Sequence, residues 1–419
     1  MANLAEAMEL SERKDILRSV DVQGLKYLKK LLPLLSELHN VGCERDRAGN
    51  RQLHYDQYCV LVLLFLFSPL VRSLRALQQA SQLRKVQRKL GVARTSLGSL
   101  SEATDVFDPE RLQAIIGRLA SQVQPIRRIG QGHLSQVLTA VDGSVVNTLA
   151  SIAEAAYHRG TNGKSHSGWR FHTHFEIDRS IPVRMDVTTA LNTTARNGGR
   201  TEEKHQLRQH LQPDRCYVMD RWYHAFTLWN DIVAAGSSYV CRVRDRTNLN
   251  HVVEERPVSA AARQAGVLSD RVLQLGSSQQ RSAKPNHPVR IILVQIKPRQ
   301  PRRKGGRIAG PASDGILRIA TNLLDVPAEI IADIYQHRWT IELFFRFFKH
   351  ILGCRHLLST DPVGIQIQAY CAVIACLLLQ LWTGGKPTLR TYEMICFYLQ
   401  GWAELDEVQV HLAKLKTTV

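Results

Sequence analysis

The chain has 419 residues, 44% hydrophobic and 22% charged, which excludes a disordered protein and leaves room for two or three domains at about 150 residues each. Its 55 Lys and Arg against 37 Asp and Glu leave a formal net charge of +18. A polyanionic partner is therefore expected, because each cation facing a phosphate releases a condensed counterion; nucleic acid and an anionic membrane surface both meet that demand.

The first 20 residues mix charged and apolar side chains without a continuous apolar run, so no secretory signal is expected. As far as about Gln122 the pattern is helical, with apolar residues three and four apart over 25–38 and 58–90. Arg72, Arg75, Arg84, Lys85, Arg88 and Lys89 form either the solvated face of an amphipathic helix or a DNA-contacting one. The apolar runs 58–71 and 367–382 fall short of the ~20 residues that span a bilayer, and are expected to be buried core helices. The eight cysteines form no C-x2-C pair, which points to reduced core residues of a cytoplasmic protein rather than a zinc ribbon.

After Pro125 the texture changes. Residues 136–148, 169–177 and 181–189 read as strands, 202–211 as a helix, 216–219 as a strand, 222–235 as a helix and 238–244 as a strand. That order describes an α/β fold with a mixed sheet. Regular alternation stops over 246–313, apart from β-like runs such as 289–296. There Lys297, Arg299, Arg302, Arg303, Lys304 and Arg307 lie among Pro298, Pro301, Gly305 and Gly306, a loop that either grips phosphate or is simply solvated. Helical spacing returns from Pro327 to the C-terminus. The expected organisation is a helical region (1–125), the first part of an α/β core (126–245), a β-rich insertion (246–315), the core resumed on a helix (316–360) and C-terminal helices (361–419). No P-loop is present, and Gly160 to Ser165 lacks its spacing. His172 and His174 share a strand face, as a hydrogen-bonded pair or as metal ligands.

The densest chemistry lies between Tyr335 and Lys349. On a helix turning about 100° per residue, Tyr335, Arg338, Glu342 and Lys349 share one outward stripe, while Ile341, Phe344, Phe345, Phe347, Phe348 and Ile351 lie opposite. The stripe is either the exposed side of an amphipathic helix with an Arg338–Glu342 pair, or a metal-holding glutamate among phosphate-holding neighbours. The spacing Y-x2-R-x3-E-x6-K resembles the signature of insertion-sequence transposases of the insertion-sequence-four type, matched at every position. The resemblance directs attention to two upstream aspartates. Asp142 lies within or at the end of the first strand, where Asp-Gly also suits a hairpin turn. Asp220 follows the 216–219 strand, where an aspartate also caps the next helix.

The resemblance implies an RNase H-like catalytic core with a β-rich insertion between the second aspartate and the glutamate. It implies Asp142, Asp220 and Glu342 as catalytic carboxylates and metal ligands, with Tyr335, Arg338, Lys349, Arg221 and Tyr223 on DNA. Trp222 stands where the family usually has glycine. Two Mg2+ ions are expected, with Mn2+ able to substitute: hard cations ~4 Å apart activate water and neutralise the leaving oxygen, and they favour oxygen ligands. The implied partners are double-stranded DNA, both element inverted repeats and target, with the N-terminal helices as candidates for binding the ends. A homodimer bridging two ends is expected, with the C-terminal helices as candidates for dimerisation, and no membrane association. The implied reaction is cut-and-paste transposition, with a hairpin as a candidate intermediate. A non-catalytic DNA-binding relative and a nuclease of the same fold are the rival readings.

Overall fold

A computed structural model describes residues 31–41, 52–68, 70–148, 157–159, 165–189, 203–245, 247–276, 284–296, 315–352, 357–359, 361–386 and 388–416. The 297–307 basic cluster lies outside them. The N-terminal helical period resolves into short pieces: α1 (Leu32–Ser36), α2 (Tyr55–Phe67), α3 (Leu74–Ser81), α4 (Arg84–Leu90), α5 (Leu97–Val106) and α6 (Glu110–Gln122). Local chemistry sets the breaks. Ser68 is extended ahead of a proline, Ser73 and Ser96 cap α3 and α5 by accepting from Ala76 and Ser99 N–H groups, and Gly91 ends α4 in the left-handed region. Arg72, Arg75, Arg84, Lys85 and Arg88 are all exposed.

The sheet is built from β1 (Val137–Thr148), β2 (Tyr157–Arg159), β3 (Ser165–Glu176), β4 (Ile181–Thr189), β5 (Arg215–Met219), β6 (Ser238–Arg242), β7 (Val252–Arg256), β8 (Val267–Leu273), β9 (Val289–Gln295) and β10 (Ile316–Thr321). Helices α7 (Glu203–Gln209) and α8 (Phe226–Ala234) flank β5, and α9 (Ala260–Gln264) precedes β8. Next come α10 (Ala328–Gln336), α11 (Thr340–Leu352), α12 (Pro362–Thr383), α13 (Leu389–Gln400) and α14 (Leu405–Lys416).

Strand order is β2-β3-β1-β5-β6-β10-β9-β8-β7, with β4 also paired to β3. β4 and β1 each run antiparallel to β3, whereas β5 and β6 are parallel to β1. This arrangement is RNase H-like. Alternate residues of β5 and β6 serve two cores. Cys216, Val218 and Val240 join the cluster formed with α2, α6, α11 and α12, and Tyr217, Met219, Tyr239 and Cys241 join the one formed with α8. A strand buried on both faces is apolar at successive positions, as 216–219 is.

Residues 246–315 extend this sheet: β10 pairs antiparallel with β6, and β9, β8 and β7 of the insertion add further antiparallel strands beyond it. Asp270 of β8 and Arg290 of β9 form a buried ion pair at 2.7 Å, and Arg290 also donates to the carbonyls of Leu323, Leu324 and Val326. The insertion is thereby fastened to the segment that leads into α10.

Three expectations change. The 222–235 helix is interrupted, because Asp220 caps a separate 3₁₀ turn (Arg221–Tyr223) and α8 begins only at Phe226. The Tyr335–Lys349 helix is broken by a second 3₁₀ turn (His337–Trp339). The 367–382 helix extends over Pro362–Thr383, 22 residues, so length does not separate it from a membrane span. Burial does: 83% of its most apolar window is inside the protein, and the buried Gln368 and Gln380 bond to the Leu358 N–H and the Arg179 carbonyl.

Candidate active site

β1 and β5 bring the two aspartates together. Their parallel register ends with Ala140 beside Val218, and Asp142 and Asp220 each stand two residues further on. Both therefore lie at one level of adjacent strands, where α/β sheets place their sites, beyond the carboxyl end of β5. Asp142 pairs with Thr173 and Gly143 with His172 inside the β1–β3 ladder, so Asp-Gly is not a hairpin turn. Asp220 accepts from the Trp222 N–H at 2.7 Å and caps the turn that follows. Capping and a place in the site are compatible, because the second carboxylate oxygen is not used by the cap.

Asp142 is largely buried, and its Oδ1 accepts from the Gly143 N–H at 2.9 Å. Burial pushes its carboxyl up to about 7; Arg338 opposes that, and the Asp220 and Glu203 carboxylates add to it. An acid whose folded-state pKa exceeds its unfolded one binds more protons when folded. Without metal, stability should therefore fall as pH rises from about 4 to about 7. Asp142→Asn should flatten that slope, as melting temperatures across this range in chelator would show.

Glu342 stands in the first turn of α11 with its side chain 54% exposed. Arg338 links it to Asp142: one guanidinium nitrogen donates to Glu342 Oε1 and the other lies 3.8 Å from Asp142 Oδ2. Lys349 Nζ donates to the Val145 carbonyl at 2.8 Å, tying α11 to β1. Across the helix, Phe344 and Phe348 pack on Phe175 and Phe171 of β3. The outward stripe expected from the sequence is thus corrected. The 3₁₀ turn and the phenylalanine packing direct Arg338 and Lys349 to β1, and Tyr335 is partly buried, its hydroxyl pushed up by burial.

The other expected DNA contacts divide. Arg221 is exposed, with Asp245 Oδ2 3.6 Å from its guanidinium. Tyr223, expected on DNA, is only 2% exposed and lies within electrostatic reach of Glu203, Asp142 and Asp220. Exposed Trp222 lies beside Lys204, whose Nζ is 5.5 Å from the ring centre. His172 bonds Thr188 at 2.8 Å, and burial holds both His172 and His174 down at about 3, so they are neutral buried imidazoles.

The donor set is all carboxylate oxygen, chemistry that suits Mg2+. The arrangement in this conformation does not: among the described residues no three His, Cys, Asp or Glu side chains stand close enough to hold a metal. The Arg338 guanidinium lies between Asp142 and Glu342 instead.

Sequence reasoning missed Glu203 and Arg170, which pair at 2.9 Å beside Asp142 and Asp220. The available signal was Gly143, a glycine inside a strand, which marks a close approach by another group.

Two acidic residues thus stand at the same level of adjacent parallel strands in an RNase H-like sheet, with a third on a helix linked to Asp142 by Arg338. The sequence pattern described as "Transposase DDE domain" matches residues 133–378, more than half of the chain, and the chain belongs to that family. It is 28% identical over 231 residues to a protein of Geobacillus stearothermophilus named as a probable transposase for insertion sequence element IS5377, covering 55% of this chain and 53% of that one. It is 27% identical over 214 residues to the transposase-named y4zB of Sinorhizobium fredii (strain NBRC 101917 / NGR234), covering 51% and 53%. A Synechocystis protein (strain ATCC 27184 / PCC 6803 / Kazusa) named for element IS4SA is 39% identical over 92 residues, 20% of this chain and 27% of its own. These relatives accord with the insertion-sequence-four signature, although the chain spans about half the length of the first two. Among solved structures, a piggyBac transposase synaptic complex with hairpin DNA aligns at TM-score 0.43 and 9% identity, over 95% of this chain and 86% of that one. The fold assignment rests on the strand order.

Proposed function

We propose that this protein is a metal-dependent cut-and-paste DNA transposase acting at insertion-sequence ends. One observation carries the reading: Asp142 and Asp220 share a level on adjacent parallel strands of an RNase H-like sheet, with Glu342 linked to Asp142 through Arg338. Asp142, Asp220 and Glu342 would hold the cations. Mg2+, when bound, supplies charge neutralisation and a nucleophile at neutral pH. The protein's own groups position the DNA: Arg338, Lys349 and Arg221 offer cations to its phosphates, and the net charge of +18 draws the polyanion in.

In cleavage, water attacks phosphorus at the element end and the P–O3′ bond breaks, leaving a 3′-hydroxyl on the element and a 5′-phosphate on the flank. In joining, that hydroxyl attacks a phosphodiester of target DNA or of the opposite strand, displacing its 3′-oxygen. The partners are double-stranded end and target DNA in the cytoplasm, with two protomers bridging a pair of ends. The test incubates the protein with end-containing and target duplexes, with Mg2+ and without it, and separates the products on denaturing gels. Metal-dependent nicks followed by joined products are expected. Binding without nicks would sink the proposal, and nicks without joining would reduce it to a nuclease.

A further inference from the structure

Gly143 lies inside a continuous strand ladder, where glycine packs no side chain and weakens the strand. The surroundings give its reason. A Cβ built on Gly143 would stand 2.4 Å from Glu203 Oε1 and 2.7 Å from its Cδ, so the carboxylate occupies the place of the missing side chain. Glu203 comes from the first turn of α7, on a different element from Asp142, Asp220 and Glu342. The end of a glutamate ordinarily swings away from such a contact, but this one is held: Arg170 Nη1 of β3 donates to Oε1 at 2.9 Å, and both side chains are nearly buried.

Packing alone does not account for a carboxylate here. Glu203 is buried within electrostatic reach of Asp142 and Asp220, where like charges repel and an aliphatic side chain would fill the space at lower cost. Gly143 is also the residue whose N–H orients Asp142 Oδ1. We infer that Glu203 is a positioning residue for the carboxylate centre: seated on Gly143 and clamped by Arg170, it fixes the β1 backbone that aims Asp142. The inference rests on Asp142 belonging to the cleavage site, as proposed above.

The geometry supplies a steric test. Gly143→Ala forces a methyl group into the carboxylate, Glu203→Ala vacates the space, and the double variant replaces the wedge by that methyl. Cleavage at saturating end DNA, DNA affinity and melting temperature are measured for all three. Gly143→Ala is expected to cleave at least about tenfold more slowly, with DNA affinity within about twofold of the parent, since a small misplacement of a reacting group costs rate rather than binding. Glu203→Ala adds no atoms and is expected to show the same split. The double variant is expected to melt above Gly143→Ala and to regain part of its rate. A merely structural role would lower the melting temperature without slowing cleavage at saturating DNA, and would overturn the inference. So would a double variant that melts no higher and cleaves no faster than Gly143→Ala. If the parent binds end DNA but never cuts it, the functional reading falls separately, and the melting comparison still decides whether Glu203 seats on Gly143.

Discussion

Asp142→Ala, Asp220→Ala and Glu342→Ala are each expected to slow Mg2+-dependent strand cleavage about a hundred- to ten-thousand-fold, the range set by losing several kcal/mol of charge stabilisation. DNA binding should survive, because each change removes negative charge from a surface that, on the proposed function, would meet phosphate. The folded state should survive as well. Asp142 is a carboxylate that burial and its acidic neighbours disfavour, so its removal relieves the metal-free protein rather than breaking it. The three losses should not add, since the residues would act as one unit. Cleavage rates and duplex binding for the singles and a triple variant check this, and normal cleavage by any one variant removes that residue from the centre.

The second large effect concerns stability. Arg290 and Asp270 are 3% and 5% exposed, and Arg290 holds three carbonyls besides the carboxylate. Asp270→Ala leaves the guanidinium buried without its counter-charge, an arrangement that costs about 3–5 kcal/mol. A clear fall in the denaturant midpoint is expected. Asp270→Leu with Arg290→Met should recover only part of it, because the apolar pair carries no desolvation penalty but leaves the Leu323, Leu324 and Val326 carbonyls without the Arg290 donor. Equal stability of Asp270→Ala and the parent would show that the pair does not fasten the insertion.

The elements that position the site were legible where burial writes a pattern. β5 and β9 read as apolar runs, β4 appears as 181–189 in both sequence and structure, and the phenylalanine face of α11 is the face that packs. Strand β7 was not legible, since Val252 to Glu255 are exposed and no alternation marks them. The break at His337–Trp339 was hidden because a uniform 100° turn was assumed through it. Arg338 could be paired with Glu342 by spacing, yet its approach to Asp142 depends on how α10 and α11 meet the sheet. Tyr223 followed an aspartate in the expected context, but its burial is set by the 3₁₀ turn. Glu203, Arg170 and Gly143 come from α7, β3 and β1, and no local spacing encodes their meeting.

The single sheet that runs through the insertion also decides where the protein is open to unwanted association. A sheet's last strand exposes unpaired N–H and C=O groups to any other extended chain, and charged side chains on that strand discourage such pairing. β7 is built in this way, with Glu254, Glu255 and Arg256 in a five-residue strand. Without the insertion strands the edge would retreat to β10, where Ile316, Leu317 and Ile319 offer a sticky template with Arg318 as its one charge. Besides any part it takes in gripping DNA, the insertion thus guards a basic, apolar-cored protein against aggregating through its own sheet.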